Sequence, residues 1–132
     1  MQPLVSEKDI LLSIENTSSK ISVAIDLKLI EQALINLVTN SIYALNGITQ
    51  PVIEISYRLE QDKVYLEISD NGKGIAPDLT DKIFVPFFTT RKNGSGIGLT
   101  ITRNIMKMHQ GSLEVHSIPF ERTTFSLVFK YG

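Results

Sequence analysis

Residues 27–45 read LKLIEQALINLVTNSIYAL, and the rest of the chain is organised around them. Asp26 is a suitable N-cap, so a helix is predicted to start there. Ile30, Leu34, Leu37, Val38 and Leu45 recur at helical spacing and form a wide apolar face. Beside it runs a polar stripe of Lys28, Gln32, Asn36, Asn40 and Tyr43. Residues four apart stack on one side of a helix, so Asn36 and Asn40 point the same way. Asn is an indifferent helix former. Two in mid-helix are either solvated or core-bonded amides, or have a task for their amide oxygens.

Working outward, Asn46-Gly47 is a normal helix stop. On the N-terminal side, Asp9–Glu15 and Ile21–Ile25 read as short strands separated by the turn cluster Asn16–Ser19, and residues 1–8 as a tail or linker remnant. On the C-terminal side, Val52–Leu59 and Lys63–Asp70 alternate cleanly about Gln61-Asp62, a hairpin with one buried face. Between Asn71 and Gly98 no long periodic stretch survives; an irregular segment of that length inside a compact domain is usually functional. Helical spacing resumes over Gly98–Met108 and stops at Gln110-Gly111, and two last strands follow at Leu113–His116 and Thr124–Tyr131. The order predicts an α+β domain over 9–132, with an antiparallel or mixed sheet and its helices on one face. A doubly wound parallel sheet would need strict strand–helix alternation.

Composition narrows the class. A chain of 132 residues that is 42% hydrophobic and 20% charged is a single globular domain able to bury a core. A net charge of -1 supplies no field for nucleic acid or anionic membrane. With no cysteine, disulfides and thiolate metal sites are excluded. No apolar run reaches the length of a membrane span and MQPLVSEKD has no signal-peptide core, so a cytoplasmic domain is expected, any membrane anchor belonging to a longer parent.

Three stretches carry chemistry. Asp70-Asn71-Gly72-Lys73-Gly74 follows directly on a strand. It is either a plain turn or a purine pocket, in which a buried carboxylate accepts from an exocyclic amino group and selects adenine. Gly94-Ser95-Gly96-Ile97-Gly98-Leu99 opens a helix. It is either a flexible loop or a phosphate cradle of free N–H groups. Leu99 breaks the Rossmann pattern, and the Walker Gly-Lys-Ser/Thr is absent. Between them lies Phe84-Val85-Pro86-Phe87-Phe88-Thr89-Thr90-Arg91-Lys92. Its phenylalanines suit core packing or ligand contact; Arg91 and Lys92 are solvated or meet phosphate.

Taken together these residues resemble the ATP-binding catalytic domain of sensor histidine kinases, in the gyrase, Hsp90, histidine kinase and MutL superfamily. Asn36-x-x-x-Asn40 resembles the N box, Asp70-x-Gly72-x-Gly74 the first glycine box, Phe84-x-Pro86-Phe87 the F box, and Gly94-x-Gly96-x-Gly98-Leu99 the second glycine box. The four in this order are specific, and the likeness covers about residues 9–130. It implies a two-layer α/β sandwich of the Bergerat type, with a mixed sheet beneath helices. It also implies ATP under a lid formed by residues 84–98, with Asp70 on the adenine amino group and Thr123 near the purine. Asn40, with Asn36 alongside, would offer amide oxygens to Mg²⁺. Tyr43, Ile75, Phe88, Thr89 and Thr90 would join the nucleotide contacts. Arg122 and Gln110 stand where the family usually has glycine, and Tyr43 where many members carry a basic residue.

In the superfamily's hydrolases a Glu four residues before the metal Asn serves as base for water. That position is Asn36, an amide, and Glu31 is one step out of register. Holding ATP for an external nucleophile fits better than steady hydrolysis. His109 and His116 are the only histidines, and neither sits in the family's acceptor pattern of His followed by an acidic residue. No catalytic side chain is therefore assigned, and self-phosphorylation is not expected. The resemblance implies transfer to a histidine on a separate dimerisation domain of the parent and, through it, a response regulator. The domain alone is expected to be a monomer. An anti-sigma-type serine kinase and a nucleotide-binding module without transfer are the alternatives.

Overall fold

The computed structural model describes residues 11–16, 24–85 and 97–130. Strand β1 (Leu11–Asn16) precedes helix α1 (Leu27–Ala44), hairpin strands β2 (Val52–Glu60) and β3 (Lys63–Asp70), helix α2 (Gly98–Met108), and hairpin strands β4 (Ser112–Ile118) and β5 (Arg122–Lys130). They form one sheet in the order β1-β2-β3-β5-β4. β1 pairs parallel with β2, and the other pairs are antiparallel. The mixed sheet expected from the sequence is therefore present. Ala24 and Ile25 carry no strand, which shortens the expected Ile21–Ile25 from its described end. Residues 1–8, Asp9, Ile10, Thr17–Ser19, Ile21–Val23 and Tyr131, all assigned above, lie outside the described residues.

α1 forms as its pattern dictates. Asp26 caps it, its Oδ1 accepting from Leu29 N at 3.2 Å. Ile30, Ala33, Leu37, Val38 and Ile42 are buried, and Leu34 packs against them. They meet Ile105 and Met106 of α2 and the inward side chains of the sheet: Ile53, Val64, Ile68, Phe125, Leu127 and Phe129. Period-2 alternation sets that face. The opposite face is polar, with Ser69 Oγ 2.8 Å from Thr124 Oγ1 and Ser126 Oγ donating to Glu67 at 3.2 Å.

His109 joins the two helices. Its Nε2 accepts from Asp26 N at 2.9 Å and its Nδ1 lies 2.8 Å from Ile105 O. A carbonyl only accepts, so the proton is on Nδ1 and both ring nitrogens are occupied. His116 is an exposed residue of β4. Both histidines are structural or surface residues.

The β4–β5 turn is tight, Glu121 N donating to Ile118 O at 2.9 Å. It holds Phe120 at φ 63°, with 71% of the residue exposed. A left-handed non-glycine residue costs about 1–2 kcal/mol, and this side chain returns little packing. Phe120→Gly should therefore raise stability by about 0.5–1 kcal/mol after glycine's extra entropy cost, seen as a melting temperature roughly 2–5 °C higher.

Candidate functional site

Three strands end in one polar row. Asp70 of β3 lies opposite Thr123 of β5, which lies opposite Ser117 of β4. Asp70 and Thr123 are 5% and 3% exposed. Ser117 Oγ is 2.7 Å from Thr123 Oγ1 and accepts from Ile75 N at 3.0 Å. The sequence reading found Asp70 and Thr123 and missed Ser117. Pairing β4 with β5 about Phe120 would have placed Ser117 across from Thr123.

The loop after Asp70 is tied down residue by residue. Gly72 N donates to Asp70 Oδ1 at 2.9 Å. Asn71 Oδ1 accepts from Val52 N at 2.8 Å, and its Nδ2 donates to Gln50 O at 3.1 Å. Lys73 N donates to the α1 carbonyl of Ala44 at 3.0 Å. A Cβ on Gly72 would lie 2.5 Å from that same oxygen. Gly74 takes φ 74°, and its missing Cβ would sit 2.7 Å from Pro119 Cα and 3.2 Å from Thr123 Oγ1. Glycines let the backbone close against the polar row, and no larger residue fits.

Burial pushes the Asp70 carboxyl above its ordinary value, while the Gly72 N–H and the nearby Ser41 hydroxyl oppose the shift. Ser41 Oγ, on α1, is buried and has no hydrogen-bond partner at normal distance among the described residues. With Oδ1 engaged by Gly72, the second carboxylate oxygen accepts no bond from the described residues and is the acceptor left for a ligand. Its chemistry suits an amino group on a flat heterocycle.

The two asparagines of α1 have different surroundings. Asn36 Oδ1 accepts from Gln32 Nε2 at 3.0 Å, and its Nδ2 lies 3.2 Å from both Gly98 O and Thr102 Oγ1. Among the described residues nothing bonds the half-buried Asn40 amide, so its oxygen suits a hard cation. Tyr43 is 47% exposed on the same helix.

α2 starts at Gly98, and among the described residues no side chain caps its first N–H groups. Such an end suits phosphate oxygens. Leu99 packs against the core rather than opening to solvent. Phe84 also packs there, with the Arg103 guanidinium 5.3 Å from its ring and Thr100 Oγ1 donating to its carbonyl at 3.3 Å. The expected site residues Phe88, Thr89, Thr90, Arg91, Lys92, Gly94, Ser95 and Gly96, with Pro86 and Phe87 of the F box, lie outside the described residues.

Comparison with protein-family models matches residues 25–132 to "Histidine kinase-, DNA gyrase B-, and HSP90-like ATPase". The chain belongs to that family of ATP-binding domains, as a catalytic domain of the histidine kinase type. It is similar to sensor histidine kinase ZraS of Salmonella typhimurium, with 38% identity over 97 residues that cover 73% of this chain and 20% of ZraS. It is also similar to the histidine-protein kinase AtoS of Escherichia coli, 34% identical over 91% of this chain and 19% of AtoS. The chain thus spans about a fifth of these relatives. Among solved structures, the nucleotide-free catalytic domain of histidine kinase ThkA superposes with a TM-score of 0.84 at 30% identity, covering 98% of this chain and 86% of that one. Full-length ShkA in complex with AMPPNP shares the fold, with a TM-score of 0.85 at 22% identity over all of this chain and 28% of ShkA. Among the described residues, no helix is long and apolar enough to cross a membrane.

Proposed function

We propose that this domain binds Mg-ATP and gives its γ-phosphoryl group to a histidine on a separate dimerisation and phosphoacceptor domain of the same parent, in two-component signalling. The observation that carries the reading is the buried Asp70 carboxylate with one oxygen held by Gly72 N and the other left for an adenine amino group. Thr123, Ser117, Gly74 and Ile75 form the surrounding wall. The N-terminus of α2 and the second glycine box take the phosphates, with Arg91 and Lys92 adding charge. Asn40 Oδ1 would hold Mg²⁺, which would supply positive charge against the phosphates. The acceptor imidazole attacks the γ-phosphorus; an N–P bond forms, the bond to the bridging oxygen breaks, and ADP leaves. Asn36 in place of an acid gives attacking water no base, which favours transfer over hydrolysis. Such a domain works where ATP is held, in the cytoplasm, and its product passes to a response regulator.

Incubation with γ-labelled ATP tests this. An added histidine-acceptor domain should become labelled and the chain alone should not. Label on a serine protein instead would favour an anti-sigma-type kinase, and ATP binding without either label would leave a nucleotide-binding module.

A further inference from the structure

We infer that Asn36 is a positioning residue that ties the first turn of α2 to α1, so that Gly98 is held in place for the phosphates, and that it is not a ligand of the metal. The inference rests on the ATP-binding reading and assigns that site's two amides different tasks.

The orientation of the Asn36 amide follows from its neighbours. Gly98 O can only accept, so the group facing it is Nδ2, and Oδ1 must face Gln32. Thr102 completes the arrangement. It is fully buried, at 0% exposure, and its Oγ1 donates to Gly98 O at 2.8 Å while accepting from Asn36 Nδ2. Every polar atom of the Asn36 side chain is thus engaged within the protein. A cation at Oδ1 would face the Gln32 N–H dipole, which repels it. Asn40, one turn along, carries no such bonds among the described residues. The tie reaches Gly98, the last glycine of the second glycine box and the first residue of α2. A shift of Gly98 moves the N–H groups of the first turn that follow it, so the phosphate end depends on Asn36 without being touched by it.

Two variants of the whole chain, Asn36→Ala and Thr102→Val, test this. Hydrogen exchange on the nucleotide-free protein reads the tie itself. Each variant should speed exchange of the Ile101 and Thr102 amides by about tenfold, the loss expected for one hydrogen-bonded link, and the double variant should add little. Calorimetric titration reads the consequence. Each variant should weaken ATP by about tenfold, by the same factor in magnesium and in EDTA. A merely structural tie would leave ATP affinity unchanged, and that result overturns the proposal. A metal ligand would give an Asn36→Ala loss confined to magnesium, a silent Thr102→Val and unchanged exchange, which overturns it equally. If Asn36→Ala does not fold, near-isosteric Thr102→Val carries the same expectations. Failure of the unaltered chain to bind ATP would remove the nucleotide reading and with it the proposal, whereas faster exchange would still show the tie to exist.

Discussion

Replacing Asp70 by Asn should raise the melting temperature of the nucleotide-free domain at pH 7 and, at the same time, weaken its ATP binding. The two effects have one cause. Burial pushes the carboxyl above its ordinary 3.8, so the native state keeps this proton to a higher pH than the unfolded chain does. Stability from that difference is present below the unfolded value and is lost as pH rises from 3.8 through the raised native value. At pH 7 the charged group is therefore a burden on the fold, and a neutral amide removes it. Below pH 3.8 the unaltered chain and the variant should melt alike. Binding moves the other way. The oxygen of the substituted amide would take the Gly72 N–H, turning an NH₂ donor toward the adenine amino group, donor against donor. Asp70→Ala loses the acceptor outright. Either change should weaken ATP by roughly 100-fold, in line with about 1.5–3 kcal/mol for a charged hydrogen bond and the added cost of a mismatch. Scanning calorimetry and titration on the same samples check both halves.

Gly72→Ala should be the most damaging small substitution at the site. The added methyl would sit 2.5 Å from Ala44 O, 2.7 Å from Ala44 C and 2.9 Å from Ala44 Cβ. The first two are backbone at the end of α1, so no side chain can swing aside. The helix end or the loop must move, at about 1–3 kcal/mol for overpacking of this kind. Any such move strains Lys73 N→Ala44 O, Gly72 N→Asp70 Oδ1 and Phe120 N→Gly72 O. The melting temperature should fall by roughly 5–10 °C. ATP affinity should fall as well, because the carboxylate loses the donor that orients it. An unchanged melting temperature would mean that the loop does not lie against α1.

Much of this architecture was legible because each element carries its own period. α1 and α2 announce themselves through 3.6-residue spacing, and the bounds of α2 at Gly98 and Met108 agree with the sequence reading. The β2–β3 hairpin follows from alternation about Gln61-Asp62. The last two strands were read short. Ser112, Ser117 and Ile118 of β4, with Arg122 and Thr123 of β5, are held in the sheet by cross-strand pairing rather than by an apolar signature. The parallel pairing of β1 with β2 could not be read from either strand alone. At the site, Asp70, Gly72, Gly74 and Thr123 were visible through motif and resemblance, and the structure brings them to one end of the sheet. The Gln32, Asn36 and Thr102 connection was not visible. Spacing shows that Asn36 and Asn40 share a face but cannot show that α2 lies against one of them. Ser117 escaped for the same reason, since its meaning depends on the register of a neighbouring strand.

The proposed site recognises a purine by its amino group at Asp70. Titrating the unaltered chain with Mg-ATP and, separately, with Mg-GTP tests it most directly. GTP presents a carbonyl where ATP presents that amino group, setting acceptor against acceptor. ATP should saturate and GTP should bind at least about 30-fold more weakly, the equivalent of roughly 2 kcal/mol for a lost charged hydrogen bond. Equal affinity for the two nucleotides, or no saturation by either, would contradict the assignment of Asp70 and the nucleotide site built on it.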